Sequence, residues 1–148
     1  MRALIQRVKS ACVTVEGKII GQIERRLLVF LGMRLEDHVG QLPFFVDKLT
    51  HLRLFSDEAG KMNLSVQDVE GSILLVSQFT LYGNCRSGCR PSFTEALAPA
   101  QAEPLYEELI YQLREKMGAA RVATGRFGAE MQVELNNDGP VTFLLENP

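Results

Sequence analysis

The sequence predicts an α+β fold: a mostly antiparallel, barrel-like β-sheet with two principal helices packed against it. Three observations carry that expectation. The N-terminal part alternates polar and apolar residues at strand period and leads into the unbroken apolar run "LLVFLGM". Two later stretches repeat apolar residues at threes and fours, the period of a helix face. The tail, "EMQVELNNDGPVTFLLE", returns to strand-like runs split by Asn-Asp-Gly.

Each element has its own justification. "ALIQRV" alternates imperfectly, whereas in "ACVTVEGKIIGQI" Val13 and Val15 precede the hairpin-type pair Glu16-Gly17, and Ile19, Ile20 and Ile23 follow it. "LLVFLGM" (27–33) has strand length and the continuous apolar character of a strand buried on both faces. From Asp37 to about His51, Val39, Leu42, Phe45, Val46, Leu49 and Leu52 line one helical face. Pro43 lacks an amide donor, so that helix begins close to Leu42 or bends there. "HLRLF" predicts a short strand and "SDEAGKMN" (56–63) a polar loop. In "GSILLVSQFTLY" a central strand carries Ile73, Leu74, Leu75 and Val76 into a polar tetrad. "AEPLYEELIYQLREKMG" is the clearest helix: Leu105, Tyr106, Leu109, Ile110, Leu113 and Met117 share a stripe, with Pro104 in the first turn and Gly118 as terminator. The tail reads as a hairpin turning at Asn-Asp-Gly. No repeat or linker interrupts the chain, so residues 1–148 are expected to form a single domain.

Composition narrows the function classes. With 46% hydrophobic residues in 148, the chain has enough apolar side chains for a true core. Lys+Arg 16 against Asp+Glu 18 gives a net charge of −2, so no broad basic surface coats nucleic acid or an anionic membrane, and any RNA contact must be local. No apolar run approaches the ~20 residues of a membrane helix. The alternating opening differs from the continuous apolar block of a signal peptide, and a soluble, cytoplasmic protein without a membrane partner is expected. The three cysteines, Cys12, Cys85 and Cys89, do not suggest a disulfide framework. Tetrahedral zinc takes about four ligands, and His38 and His51 stand in no finger-like spacing to the cysteines. Neither a metal nor another cofactor is expected.

Two polar stretches stand out from the scaffold: "SQFT" (77–80) at a strand end and "NDGPVT" (137–142) at the expected turn. Hydroxyls and amides orient substrates, but Ser, Gln and Thr are not useful bases near neutrality. No histidine is placed near them by spacing, so a Ser/His/Asp constellation is unsupported. From the residues alone, "SQFT" also reads as an ordinary strand terminus and Asp-Gly-Pro as turn punctuation. "GNCRSGCRPSF" (83–93) reads either as a solvated turn or as a local basic loop.

Beyond these local readings, "SQFTLY" and "NDGPVT", together with "MRALIQRVKSACVTVEG", "FSDEAGKMNLSV", "RPSFTEAL" and "TGRFGAEMQVEL", resemble the D-aminoacyl-tRNA deacylases of the bacterial and eukaryotic type, the D-tyrosyl-tRNA deacylase family. The resemblance is collinear over essentially the whole chain. It implies a homodimeric enzyme that hydrolyses the ester between a D-amino acid and the 3′-terminal adenosine of tRNA. Ser77, Gln78, Phe79 and Thr80 would line the reaction centre. Gly139-Pro140 would be cis and reach into the partner subunit's pocket to select chirality. Arg7 would brace that loop, and Ala102, Phe127 and Met131 would surround the pocket. Glycine has no side chain to collide with such a selector, so glycyl-tRNA should also be cleaved. Ser87 and Cys89 stand where many relatives carry basic residues, which leaves Arg86 and Arg90 as the phosphate-facing candidates. Hydrolysis assisted by the ribose 2′-hydroxyl suits a site without a base, with a Thr80 nucleophile as the rival. The alternatives are a relaxed relative acting on some L-aminoacyl-tRNAs, a non-catalytic nucleic-acid-associated module, and a general esterase.

Overall fold

The computed structural model describes all 148 residues. Strand β1 (Arg2–Val15) is the spine of a six-stranded sheet with β2 (Lys18–Ile23), β3 (Arg26–Gly32), β6 (Ser72–Ser77), β7 (Val122–Thr124) and β8 (Gln132–Glu146). Its first half pairs antiparallel with β3 and its second half with β2, while β8 runs antiparallel along almost its whole length. The β3/β6 and β6/β7 pairs are parallel. β2 turns back over the far edge: a Cβ on Gly21 would lie 2.5 Å from the Thr124 carbonyl oxygen, so only glycine permits that approach. The sheet is therefore nearly closed. Helices α1 (Leu42–His51) and α2 (Pro99–Met117) cover its outer face, and the small pair β4 (Phe55–Ser56) and β5 (Met62–Leu64) lies apart.

Alternation along β3 and β6 explains the two-layered core. Leu27, Val29 and Leu31 point, with Ile73 and Leu75, toward Phe45 and Leu49 of α1 and Leu109 and Leu113 of α2. Leu28, Leu74 and Val76 point the other way, against Val8, Val13 and Val15 of β1. Both faces are dry, as the continuous apolar run predicts. Each fully buried side chain of this kind contributes about 1.5–3 kcal/mol. The β1–β2 turn is the expected one, with positive φ at Glu16 (50°) and Gly17 (76°). α1 begins at Leu42 with Pro43 in its first turn, after a short 3-10 turn whose N-cap is His38.

Four sequence expectations need correction. The tail is not a hairpin: both sides of Asn-Asp-Gly pair with β1, so it is a single, interrupted strand. A long partner strand outcompetes the local turn preference. α2 starts at Pro99, which places Pro104 in the second turn. In "HLRLF" only Phe55 is in a strand, because α1 runs on through His51. The stretch 56–63 is a tight connection whose ends, Ser56 and Met62, pair.

Tyr106 ties α2 to the sheet. Its buried hydroxyl donates to the Leu75 carbonyl at 2.8 Å. That oxygen also accepts from the Gly125 amide at 2.9 Å, so Tyr106→Phe leaves it one partner. The expected loss is about 1 kcal/mol, read as a lower urea midpoint with an unchanged slope.

Candidate active site

The end of β6 delivers a polar tetrad to an open apolar cleft of about 640 Å³. Parallel pairing with β3 runs to Leu31↔Ser77, and the Gln78 amide continues it by donating to the Leu31 carbonyl at 2.7 Å. The chain then winds into a 3-10 turn, Phe79–Tyr82. The first amides of such a turn have no carbonyl in a preceding turn to donate to, and remain available to a ligand. The Gln78 side-chain amide donates to the Thr80 hydroxyl. Phe79 is 58% exposed, and its ring meets Phe93 edge-on with centroids 5.1 Å apart.

Six residues expected at the site line this one cleft: Ser77, Gln78, Phe79, Ala102, Phe127 and Met131. Ala102 comes from the first turns of α2; Phe127 packs on Tyr106 with centroids 5.8 Å apart. Thr80 is not part of the lining and is linked to it through Gln78. Fourteen of the 18 lining residues are hydrophobic, so few side chains there can take part in chemistry. Tyr106 is the one titratable group among them, and burial pushes its hydroxyl well above the ordinary tyrosine range, so it stays neutral. No three His, Cys, Asp or Glu side chains converge to offer a metal site.

Arg7, Gly139 and Pro140 lie outside this cleft. Between the pairs Val8↔Asn137 and Gln6↔Thr142, the single β1 residue Arg7 faces four residues of β8, and residues 138–141 form a bulge. The Gly139-Pro140 bond is cis and both residues are exposed. Arg7 Nε donates to the Asp138 carbonyl at 3.0 Å and Nη1 to the Leu54 carbonyl at 2.8 Å, with the Asp138 carboxylate at 3.6 Å. Asn137 holds the other side: its Oδ1 accepts from the Val141 amide at 2.8 Å and its Nδ2 donates to the Thr142 hydroxyl at 3.0 Å.

Sequence reasoning missed Asn137 in this role, although an Asn before Asp-Gly-Pro is a known turn former. It also missed Phe93, whose signal was an aromatic residue in an otherwise polar loop. Arg86 and Arg90 sit in the exposed loop that leads to Phe93, and neither forms a salt bridge. No helix is long and apolar enough to cross a membrane.

The chain can be compared with known proteins on this geometry. A family model described as D-Tyr-tRNA(Tyr) deacylase matches residues 4–146. A protein of Geobacillus sp. (strain WCH70) named D-aminoacyl-tRNA deacylase is 54% identical over 147 residues, spanning 99% of this chain and 95% of that protein. One of the same name from Brevibacillus brevis is 53% identical over 147 residues, spanning 99% of this chain and all of its own length (100%). Among solved structures, "c-Myc DNA Unwinding Element Binding Protein" superposes with a TM-score of 0.95 at 45% identity, over 100% of this chain and 99% of that one.

Proposed function

The chain belongs to the D-Tyr-tRNA(Tyr) deacylase family, and from that premise we propose that it is a hydrolase, acting as one domain, that cleaves the ester joining a D-amino acid to the 3′ end of tRNA. One observation carries the mechanism: the cleft beside the "SQFT" tetrad has no side chain able to act as a base. This supports a reaction that draws on the substrate. An aminoacyl ester is activated, and the neighbouring ribose 2′-hydroxyl can orient a water for attack on the carbonyl carbon. The Phe79 and Thr80 amides would stabilise the oxyanion, and the ribose 3′ oxygen leaves with a proton.

The rival, a Thr80 nucleophile, lacks a partner to take its proton, and its oxygen already accepts from Gln78. Thr80→Ala is expected to retain most of the single-turnover rate on D-tyrosyl-tRNA. A fall of several orders of magnitude would overturn substrate assistance. Simple esters, which lack the 2′-hydroxyl, should be cleaved poorly. Rapid turnover of them favours a general esterase.

The handedness of the reaction is assigned to Gly139 and Pro140. They are exposed and lie outside the lining of their own cleft, which leaves them free to meet substrate held by a second copy of the chain. Main-chain atoms of the pair would crowd the side where an L side chain projects, while D residues and glycine fit. The working enzyme is then a homodimer in the cytoplasm. Arg86 and Arg90 are free to meet tRNA phosphates. Replacing both with alanine should weaken tRNA binding about tenfold at low salt and leave the D/L ratio unchanged; unaltered binding would make the loop a bystander.

A further inference from the structure

We propose that Cys85 and Cys89 form an oxidisable dithiol that, on reaction with a peroxide, closes a disulfide across the loop carrying Arg86 and Arg90. Both thiols are free and exposed, and every residue from 84 to 95 is exposed to solvent. The loop is pinned at its neck: the Asn84 amide donates to the Ser92 carbonyl at 2.7 Å, and the Ser92 amide returns to the Asn84 carbonyl at 3.0 Å. Above the neck the chain bends at five successive residues, 86–90. Gly88, at φ 67°, supplies a conformation few other residues adopt. An extended chain would hold residues four apart at roughly 13 Å, whereas a disulfide needs about 4.4–6.8 Å between Cα atoms. A loop forced to reverse between joined ends favours the shorter distance. Little opposes the adjustment, since the contact holding either sulfur is Cys85 Sγ to the Gly83 carbonyl at 3.9 Å, and no salt bridge holds Arg86 or Arg90.

The chemistry balances with a peroxide as oxidant. One thiolate attacks an O–O oxygen, giving a sulfenic acid and releasing the other oxygen as water or alcohol. The second thiol attacks that sulfur, the S–S bond forms, and the sulfenic oxygen leaves as water. Two thiols are oxidised and one peroxide is reduced. Cys12 is partly buried on β1, and β3 lies between that strand and β6, which leads toward this loop, so the proposed pair is Cys85 and Cys89 alone. The consequence rests on the loop meeting tRNA, as proposed above. The cross-link draws residues 86–88 toward the neck and changes where Arg86 points, while Phe93, beyond the neck, keeps its place against Phe79. Oxidation should therefore weaken RNA binding and spare the chemical step.

The test treats the full chain with hydrogen peroxide, then digests with trypsin without reductant. Cleavage after Arg86 places the two cysteines on separate peptides, which stay together only through a disulfide. The joined peptides are expected, with KM for D-tyrosyl-tRNA raised severalfold, kcat little changed, and full reversal by dithiothreitol. Cys85→Ser and Cys89→Ser should each abolish both the linkage and the shift. Sulfinic acid, intermolecular dimers or unmodified thiols in place of the internal bridge would overturn the dithiol. A bridge that forms with KM unchanged overturns its control of the loop. A reduced enzyme inactive on D-tyrosyl-tRNA refutes the deacylase reading instead, and leaves the peptide result to judge the bridge.

Discussion

Gly139→Ala is expected to lower the preference for D- over L-tyrosyl-tRNA by about one to two orders of magnitude, with only a modest loss of stability. Gly139 has φ 149°, a region L side chains rarely adopt, and an added Cβ would lie 2.6 Å from Val141 Cγ2 and 2.8 Å from the Val141 amide nitrogen. Val141 is buried and its amide is held by Asn137. The bulge must therefore move, and strain of about 1–3 kcal/mol is available to move it. Under the proposed selection by main-chain position, displacements of this size matter, because the difference between enantiomers would lie in steric overlap. The rate on L-tyrosyl-tRNA should rise while that on D-tyrosyl-tRNA changes little. A D/L ratio equal to that of the unaltered enzyme would remove Gly139 from chiral selection.

Arg7→Ala should have the largest effect on stability, about 2–4 kcal/mol by urea unfolding, and should also relax discrimination. The Arg7 side chain is 14% exposed and bridges two carbonyls on different segments, Asp138 in the bulge and Leu54 before β4. The carboxylate of Asp138 is 40% exposed and 3.6 Å away, so screening leaves the ion pair a small share. The weight falls on the two carbonyl bonds, which lose a charged donor together. Arg7→Lys offers one point of contact instead of a fork and should recover less than half of the stability. Full recovery by lysine would mean that charge alone matters at this position.

Much of the scaffold was legible because its signals are local. Apolar spacing placed α2, Pro43 placed the start of α1, and Glu16-Gly17 placed the first turn. The tail misled for the opposite reason. Asn-Asp-Gly is a strong turn signal, but the 14-residue β1 offers a partner to both flanks, and that long-range pairing wins. The same competition produces the bulge, since Arg7 must face four residues at once. Ser77 and Gln78 were legible as a polar end to an apolar strand, while a site role for them and Phe79 came only from the family resemblance. The assembly of the cleft was not legible, because Ala102, Phe127 and Met131 are unremarkable residues brought together only by the packing of α2 over the sheet. The family resemblance pointed to them as pocket residues, where spacing gave no signal. Phe93 stood out only as an aromatic residue in a polar loop, and spacing could not predict that its ring folds back on Phe79.

The most direct measurement is the initial rate of amino-acid release from D-tyrosyl-tRNA and L-tyrosyl-tRNA by the unaltered enzyme under identical conditions. Rapid release from the D ester, release from glycyl-tRNA, and L-tyrosyl-tRNA left near its spontaneous rate are predicted. Equal rates on the two enantiomers, or D-tyrosyl-tRNA untouched while glycyl-tRNA is hydrolysed, would contradict chiral selection at a cleft that relies on its substrate for catalysis.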